Sequence, residues 1–160
     1  MVSSYFDIMT MKEIDIKKIE YIDADEKLKE LIAKEWGELQ ARYMHISDGF
    51  SIVAMYQGNP VGLISVCLKK LPPPIMDKYE TFIDIIEVQA GFRRKGIAKK
   101  MIEISLERSR KMGACQIRAW SSEDKIEAIP MWRSLGFGLC PTTVYPKGQE
   151  VKGYFVTKVL

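Results

Sequence analysis

The feature that most limits how this chain can fold is the run "TFIDIIEVQAGFRRKGIAKKMIEISLERSRKMGACQIRAW", residues 81–120. Thr81 to Val88 is apolar with little polar alternation, the pattern of a central strand buried on both faces. The spacing then predicts a helix over Gly96 to Met112, with Gly113 as its C-terminal cap and "CQIRAW" as the next strand. A strand, a helix and a strand in one run confine the chain to a mixed α/β architecture. The turn between strand and helix carries Arg93, Arg94 and Lys95 directly ahead of Gly96. A helix start already has partial positive charge and unpaired N–H groups, so cations there are locally unfavourable. The turn is built to meet something negative. Its N–H groups can converge on an anion, and Gly96 and the small Ala98 let the main chain come close. Arg94, Lys95, Lys99 and Lys100 add charge at the rim. The ligand implied is a phosphate or pyrophosphate.

The remaining segments are consistent with that class. Glu13 to Asp23 reads as an opening strand. Asp23 to His45 reads as helix, with Leu28, Leu31, Ile32, Trp36 and Leu39 at helical spacing and Gly37 placed to split it. "FSIVAMYQGNPVGLISVCLKKL" is a hairpin about Gln57-Gly58-Asn59-Pro60. Pro72, Pro73 and Pro74 make a stiff loop. Ser121 or Ser122 is expected to cap a last helix through Leu135, kinked or restarted at Pro130 and ended by Gly136. The tail reads as two strands joined near Pro146 to Gln149. There is no internal repeat, low-complexity segment or linker.

Composition narrows the class of function. The chain has 160 residues, 47% hydrophobic and 28% charged, with a net charge of +3. That suits one globular domain, residues 12–160, preceded by a loose tail, residues 1–11. The charge is too small to argue for nucleic acid. Cys67, Cys115 and Cys140 show no paired spacing. They read as small buried hydrophobes in a reducing compartment. One histidine, His45, argues against a zinc site of Cys and His; it ends the predicted helix, where a cation suits the dipole. With no leader-like N-terminus and no long apolar run, the expectation is a cytoplasmic protein away from membranes.

Two familiar phosphate loops are missing: "GIAKK" lacks the hydroxyl of a P-loop, and GxGxxG is absent. What is present is R-x-x-G-x-A, from Arg93 through Gly96 to Ala98. It resembles the coenzyme A signature of the GNAT family of N-acetyltransferases. Its surroundings fit the same family: Val88 five residues before Arg93, a long amphipathic helix, "MGACQIRAW", and "AIPMWRSLGF" closing on Gly136-Phe137. The resemblance covers nearly the whole chain. It implies a single α/β domain with a central mixed, mostly antiparallel sheet and helices on both faces. It also implies acetyl transfer from acetyl-CoA to a primary amine, by direct attack in a ternary complex and without a metal. The backbone of Arg93, Arg94, Lys95, Gly96, Ile97, Ala98 and Lys99 would hold the pyrophosphate. Backbone groups of Ile86 and Val88 would pair with the pantetheine arm in a V-shaped slot, where the strand splays from its neighbour. The Val88 N–H would serve the thioester oxygen.

The sequence departs from the family pattern twice. Lys125 stands where Asn is frequent, with the small Ala128 following. Trp132 stands where a Tyr often protonates the leaving thiolate, and an indole N–H can donate a hydrogen bond but not a proton. Tyr145 and Cys140 are candidate replacements, and Trp132 is otherwise core. For the base, Asp84 and Glu87 lie on the slot strand; an odd separation sends them to opposite faces of a regular strand, and Glu87 is preferred. The acceptor, a small molecule or a peptide amine, would be set by residues 24–48, 71–79 and 140–149. Trp36, Tyr43, Tyr79 and Tyr145 are candidate lining, and Glu35, Glu38 and Asp48 candidate attractors of a cationic amine. Pairing of terminal strands would make a homodimer. The rival readings are a catalytically weak acyl-CoA-binding sensor and a basic nucleic-acid- or protein-binding domain.

Overall fold

The computed structural model describes residues 13–75 and 77–160; the expected tail, residues 1–11, lies outside them. Seven strands form one open sheet in the order β1-β2-β3-β4-β5-β7-β6. They are β1 (Glu20–Asp23), β2 (Gly49–Tyr56), β3 (Asn59–Lys70), β4 (Tyr79–Val88), β5 (Gln116–Ser122), β6 (Gly138–Val144) and β7 (Val151–Val159). Every neighbouring pair is antiparallel except β4 with β5. The strand–helix–strand run of residues 81–120 explains the exception. Its helix, α3 (Ile97–Lys111), carries the chain back across the sheet so that β5 enters in the direction of β4.

Alternating side chains divide the interior into two layers. On one face Ile52, Ile64, Val66, Ile83 and Ile117 meet Ile97, Met101 and Ile102 of α3, with Trp132 and Leu135 from α4 (Ala128–Ser134) and its end. On the other, Val53 and Leu63 meet Ile32 of α1 (Glu26–Glu35) and Ala41 and Met44 of α2 (Glu38–Arg42) and its end. The mixed sheet with helices on both faces is therefore observed. β4, fourth of seven, is the central strand that its apolar run predicts.

Local signals account for most boundaries. Asp25 caps α1 through its Oδ1, which accepts from Leu28 N–H at 2.8 Å. Gly37 separates α1 from α2. The α3 helix ends in paired bonds, Gly113 N–H to Arg110 O and Ala114 N–H to Ser109 O. Three expectations need correction. The opening strand is short, Glu20–Asp23, because a 3-10 turn over Ile16–Lys18, capped by Asp15, precedes it. Ser121 and Ser122 cap nothing; they lie in β5, paired with β7. The last helix begins at Ala128, so Pro130 falls in its first turn, where no N–H is needed. Of the cysteines, only Cys67 is buried, and Cys140 is exposed because β6 is an edge strand.

A half-buried ion pair, its carboxylate inside and its guanidinium partly exposed, sits where β4 and β5 run together. Glu80, 3% exposed, accepts from Arg118 Nε at 2.7 Å and Nη2 at 2.6 Å, and from Gln116 Nε2 at 2.7 Å. Burial alone would raise the Glu80 carboxyl. The bonds from Arg118 and Gln116 outweigh it and leave the group below its ordinary value of 4.5. The Arg118 guanidinium also lies over Phe82 and Phe155.

Candidate active site

Pairing between β4 and β5 stops early. It joins Glu80–Ile83 to Gln116–Ala119, although β4 continues to Val88 and β5 to Ser122. From Asp84 onward the two strands part and leave a wedge-shaped slot. The register shows which backbone groups face it. Val88 lies opposite Gly62, while Gln89 N–H donates to Val61 O at 2.9 Å, so Gly62–Val88 is a non-hydrogen-bonded pair. Alternation turns the N–H and C=O groups of Val88 and Ile86 away from β3 and into the slot. The Val88 carbonyl accepts from Arg93 Nε at 2.9 Å.

A bulge changes the side-chain pattern of β4. Val66 pairs with Ile83 and Ser65 with Ile85, so Asp84 is the extra residue. The insertion resets the alternation beyond it. Glu87 lies opposite Leu63 and shares its face, the face of α1 and α2. Asp84 turns to that face too, where its Oδ2 meets His45 Nε2 at 2.5 Å. The expectation that the two carboxylates face opposite ways is thus overturned: one extra residue restores the parity that an odd separation removes.

Beyond Val88 the chain makes a 3-10 turn at Ala90–Phe92 and reaches α3 through Gly96 at φ 80°. A Cβ at Gly96 would meet nothing within 4 Å, so the glycine serves the left-handed backbone and an open surface above it. Arg94 is left-handed as well, φ 61°, a strained conformation for a side-chain residue. Lys100 is the first to bond back along the helix, to Gly96 O at 3.0 Å. Among the described residues the N–H groups of residues 94–99 have no backbone acceptor. Arg93, Arg94, Lys95, Gly96 and Lys99 are exposed, Ile97 is buried and Ala98 half-buried. Arg94 lies 3.6 Å from Glu127 at the start of α4.

The sequence reading missed His45. It lies beyond α2, in the loop before β2, and does not cap a helix. Its N–H donates to Ser51 Oγ at 3.0 Å and Ser65 Oγ at 2.8 Å, both serines buried in the sheet. Its Nδ1 meets Asp48 at 2.9 Å, and this bond holds the Asp48 carboxyl below the usual range. Cys67 lies beside the pair; burial first, then Asp84, pushes its thiol up to about 11. The one available signal was a lone histidine with an aspartate three residues on. Its partner Asp84 is 39 residues away in sequence.

The other site residues fall at the margins. Trp132 is 2% exposed and packs edge to face on Phe137, ring centroids 4.8 Å apart. Its indole N–H has no partner. Lys125 is exposed in the turn between β5 and α4. Tyr145 is exposed at the tip of the β6–β7 hairpin. Beside that tip a depression of about 500 Å³ is lined by residues including Trp120, Glu123, Asp124, Pro146, Glu150 and Lys152. Trp36, Tyr43 and Tyr79 do not line it. Trp36 instead packs under α1 and α2.

The chain thus places a parallel strand pair that parts after Ile83 beside the start of a long helix. Residues 14–137 match the acetyltransferase (GNAT) family model, and the chain belongs to that family. It is an acetyltransferase that takes its acetyl group from acetyl-CoA, and the reaction needs no metal. Solved structures share the fold. Naa50 of Arabidopsis thaliana, in complex with the bisubstrate analogue CoA-Ac-MVNAL, superposes with a TM-score of 0.69 at 19% identity, over 89% of this chain and 99% of its own. NAA60 of the same plant, with a bisubstrate analogue, gives 0.70 at 14% identity, over 88% and 97%. A GNAT acetyltransferase of Elizabethkingia anophelis with acetyl-CoA bound gives 0.65 at 14%, over 90% and 99%. A search of curated proteins returns no significant match. Among the described residues no helix is long and apolar enough to cross a membrane.

Proposed function

We propose that this enzyme transfers acetyl from acetyl-CoA to a primary amine by direct attack within the slot between β4 and β5. The observation that carries the reading is the outward turn of the Ile86 and Val88 backbone groups exactly where β5 departs. The pantetheine arm completes the sheet as a strand would, and the pyrophosphate rests on the N–H groups of Arg93 to Lys99. The Val88 N–H donates to the thioester oxygen as charge develops there.

The acceptor enters from the face of α1 and α2. Glu87 is the base: it shares that face and adjoins Val88, and among the described residues it has no hydrogen bond or ion pair. Asp84 is a second reading, favoured by its bond to His45, whose far nitrogen leads to the exposed Asp48. A proton taken by Asp84 has a path to solvent. Trp132 is buried and cannot supply a proton to the leaving thiolate, and the exposed Tyr145 and Cys140 are the candidates in its place. The acidic lining of the depression beside the hairpin tip, Glu123, Asp124 and Glu150 against Lys152, suits a cationic amine. A peptide N-terminus fits that open depression better than a small enclosed molecule does. The three cysteines are free, which supports a reducing, cytoplasmic setting.

The test is calorimetric titration with acetyl-CoA, then thiol release over a panel of peptides and small amines. Saturable binding with turnover on peptides is expected. Absence of binding would remove the slot assignment, and turnover confined to small amines would remove the peptide assignment.

A further inference from the structure

His45 Nε2, Cys67 Sγ and a carboxylate oxygen of Asp84 all lie within 4.8 Å of one another. They come from the loop before β2, from β3 and from the β4 bulge, so only the folded sheet assembles them. Sulfur, imidazole nitrogen and carboxylate oxygen together form a donor set that binds zinc-class ions. Bonds of about 2.0–2.3 Å place tetrahedral donors roughly 3.3–3.8 Å apart, a spacing small side-chain rotations reach from here. The surroundings are already arranged as around a metal-bound histidine. Asp48 holds the far ring nitrogen at 2.9 Å, which directs Nε2 towards the cluster. Ser51 and Ser65 fix the His45 backbone from inside the sheet. His45 and Asp84 are 18% and 22% exposed, while Cys67 is buried, so an ion enters from the histidine and carboxylate side.

We propose that His45, Cys67 and Asp84 form a three-donor site for a divalent ion of the zinc class, its fourth position open to the acceptor side of the slot. Acetyl transfer does not use this ion. Binding releases the Cys67 thiol proton and replaces the His45–Asp84 hydrogen bond, and sulfur, nitrogen and oxygen take the metal instead.

The test is titration of the chelator-treated full chain with Co²⁺, read by absorption. One equivalent should produce a thiolate-to-cobalt charge-transfer band with visible ligand-field bands, and Zn²⁺ should bleach both. Cys67→Ser should lose the charge-transfer band while keeping its circular dichroism and its acetyl-CoA affinity. Asp48→Asn should keep the spectrum and weaken affinity by about 10–100-fold. A Cys115→Ser/Cys140→Ser variant should behave as wild type. Absence of the band, or its survival in Cys67→Ser, overturns the site. Acetyl-CoA titration of the same samples reads the transferase proposal separately, because a failure there leaves the cobalt spectrum untouched.

Discussion

Gly96 is the residue at which the anion-binding loop can be tested alone. Its φ of 80° disfavours any side chain, and the space above it is open. Gly96→Asp therefore adds backbone strain of about 1–2 kcal/mol and sets a carboxylate against the pyrophosphate. Acetyl-CoA affinity should fall by more than about tenfold in calorimetry, with the fold intact by circular dichroism; an unchanged affinity would mean that the phosphate binds elsewhere. Glu87 is tested by its pH–rate profile. Glu87→Gln should lower kcat/KM by about a hundredfold or more, with acetyl-CoA binding retained, and should remove the acidic limb of the profile. If the acidic limb remains, Asp84 or water takes the role. Neither carboxylate could be assigned a face from spacing alone, because the bulge residue is ordinary in sequence.

At the scale of elements, the β4–β5 junction rests on the Glu80–Arg118 pair. Glu80 is almost wholly buried, so Arg118→Met would strand a charge inside the sheet and should cost about 3–5 kcal/mol in urea unfolding. The double variant Glu80→Met with Arg118→Met should recover most of that loss, since it removes the buried carboxylate that the single variant leaves without its guanidinium. The pH dependence has a definite sign. The Glu80 carboxyl is lower in the folded chain than its ordinary 4.5, so its stabilisation is full above that value and is lost as pH falls through the folded value. Unfolding free energy of the wild type should drop as pH falls below 4.5, and the double variant should show a shallower slope. A second device at this scale is Gly153 of β7, where a Cβ would sit 2.3 Å from Ser121 O, so only glycine lets β7 lie against β5.

Taken whole, the molecule is a sheet whose two halves share the core under α3 but pair directly through just four residues each of β4 and β5. Ligand binding along the parted edges should fasten the halves together. Amide exchange reads this residue by residue. In the free chain Glu87 and Gln89, bonded towards β3, should exchange slowly, while Ile86 and Val88 should exchange fast. Acetyl-CoA should slow Ile86 and Val88 and leave Glu87 little changed. Equal protection of all four before addition of ligand would contradict the wedge. The depression beside the β6–β7 tip, proposed above for the acceptor, lies on the far half of the sheet.

Much of this protein follows from local rules. Apolar periodicity, the glycine caps and the Gln57-Gly58 turn determine which segments become helix or strand, since each depends on neighbours within a few residues. The glycine turn into α3, on which the proposed anion-binding loop rests, was legible for the same reason: strand, glycine and helix are contiguous. Boundaries failed where local signals competed, as at Ser121 and Ser122, whose capping tendency lost to pairing with β7. The slot, the facing of Glu87 and the His45–Cys67–Asp84 cluster were settled by tertiary structure alone. They depend on where β5 stops pairing, on one extra residue in β4, and on partners 39 residues apart, and no periodicity in a single segment encodes a register between two.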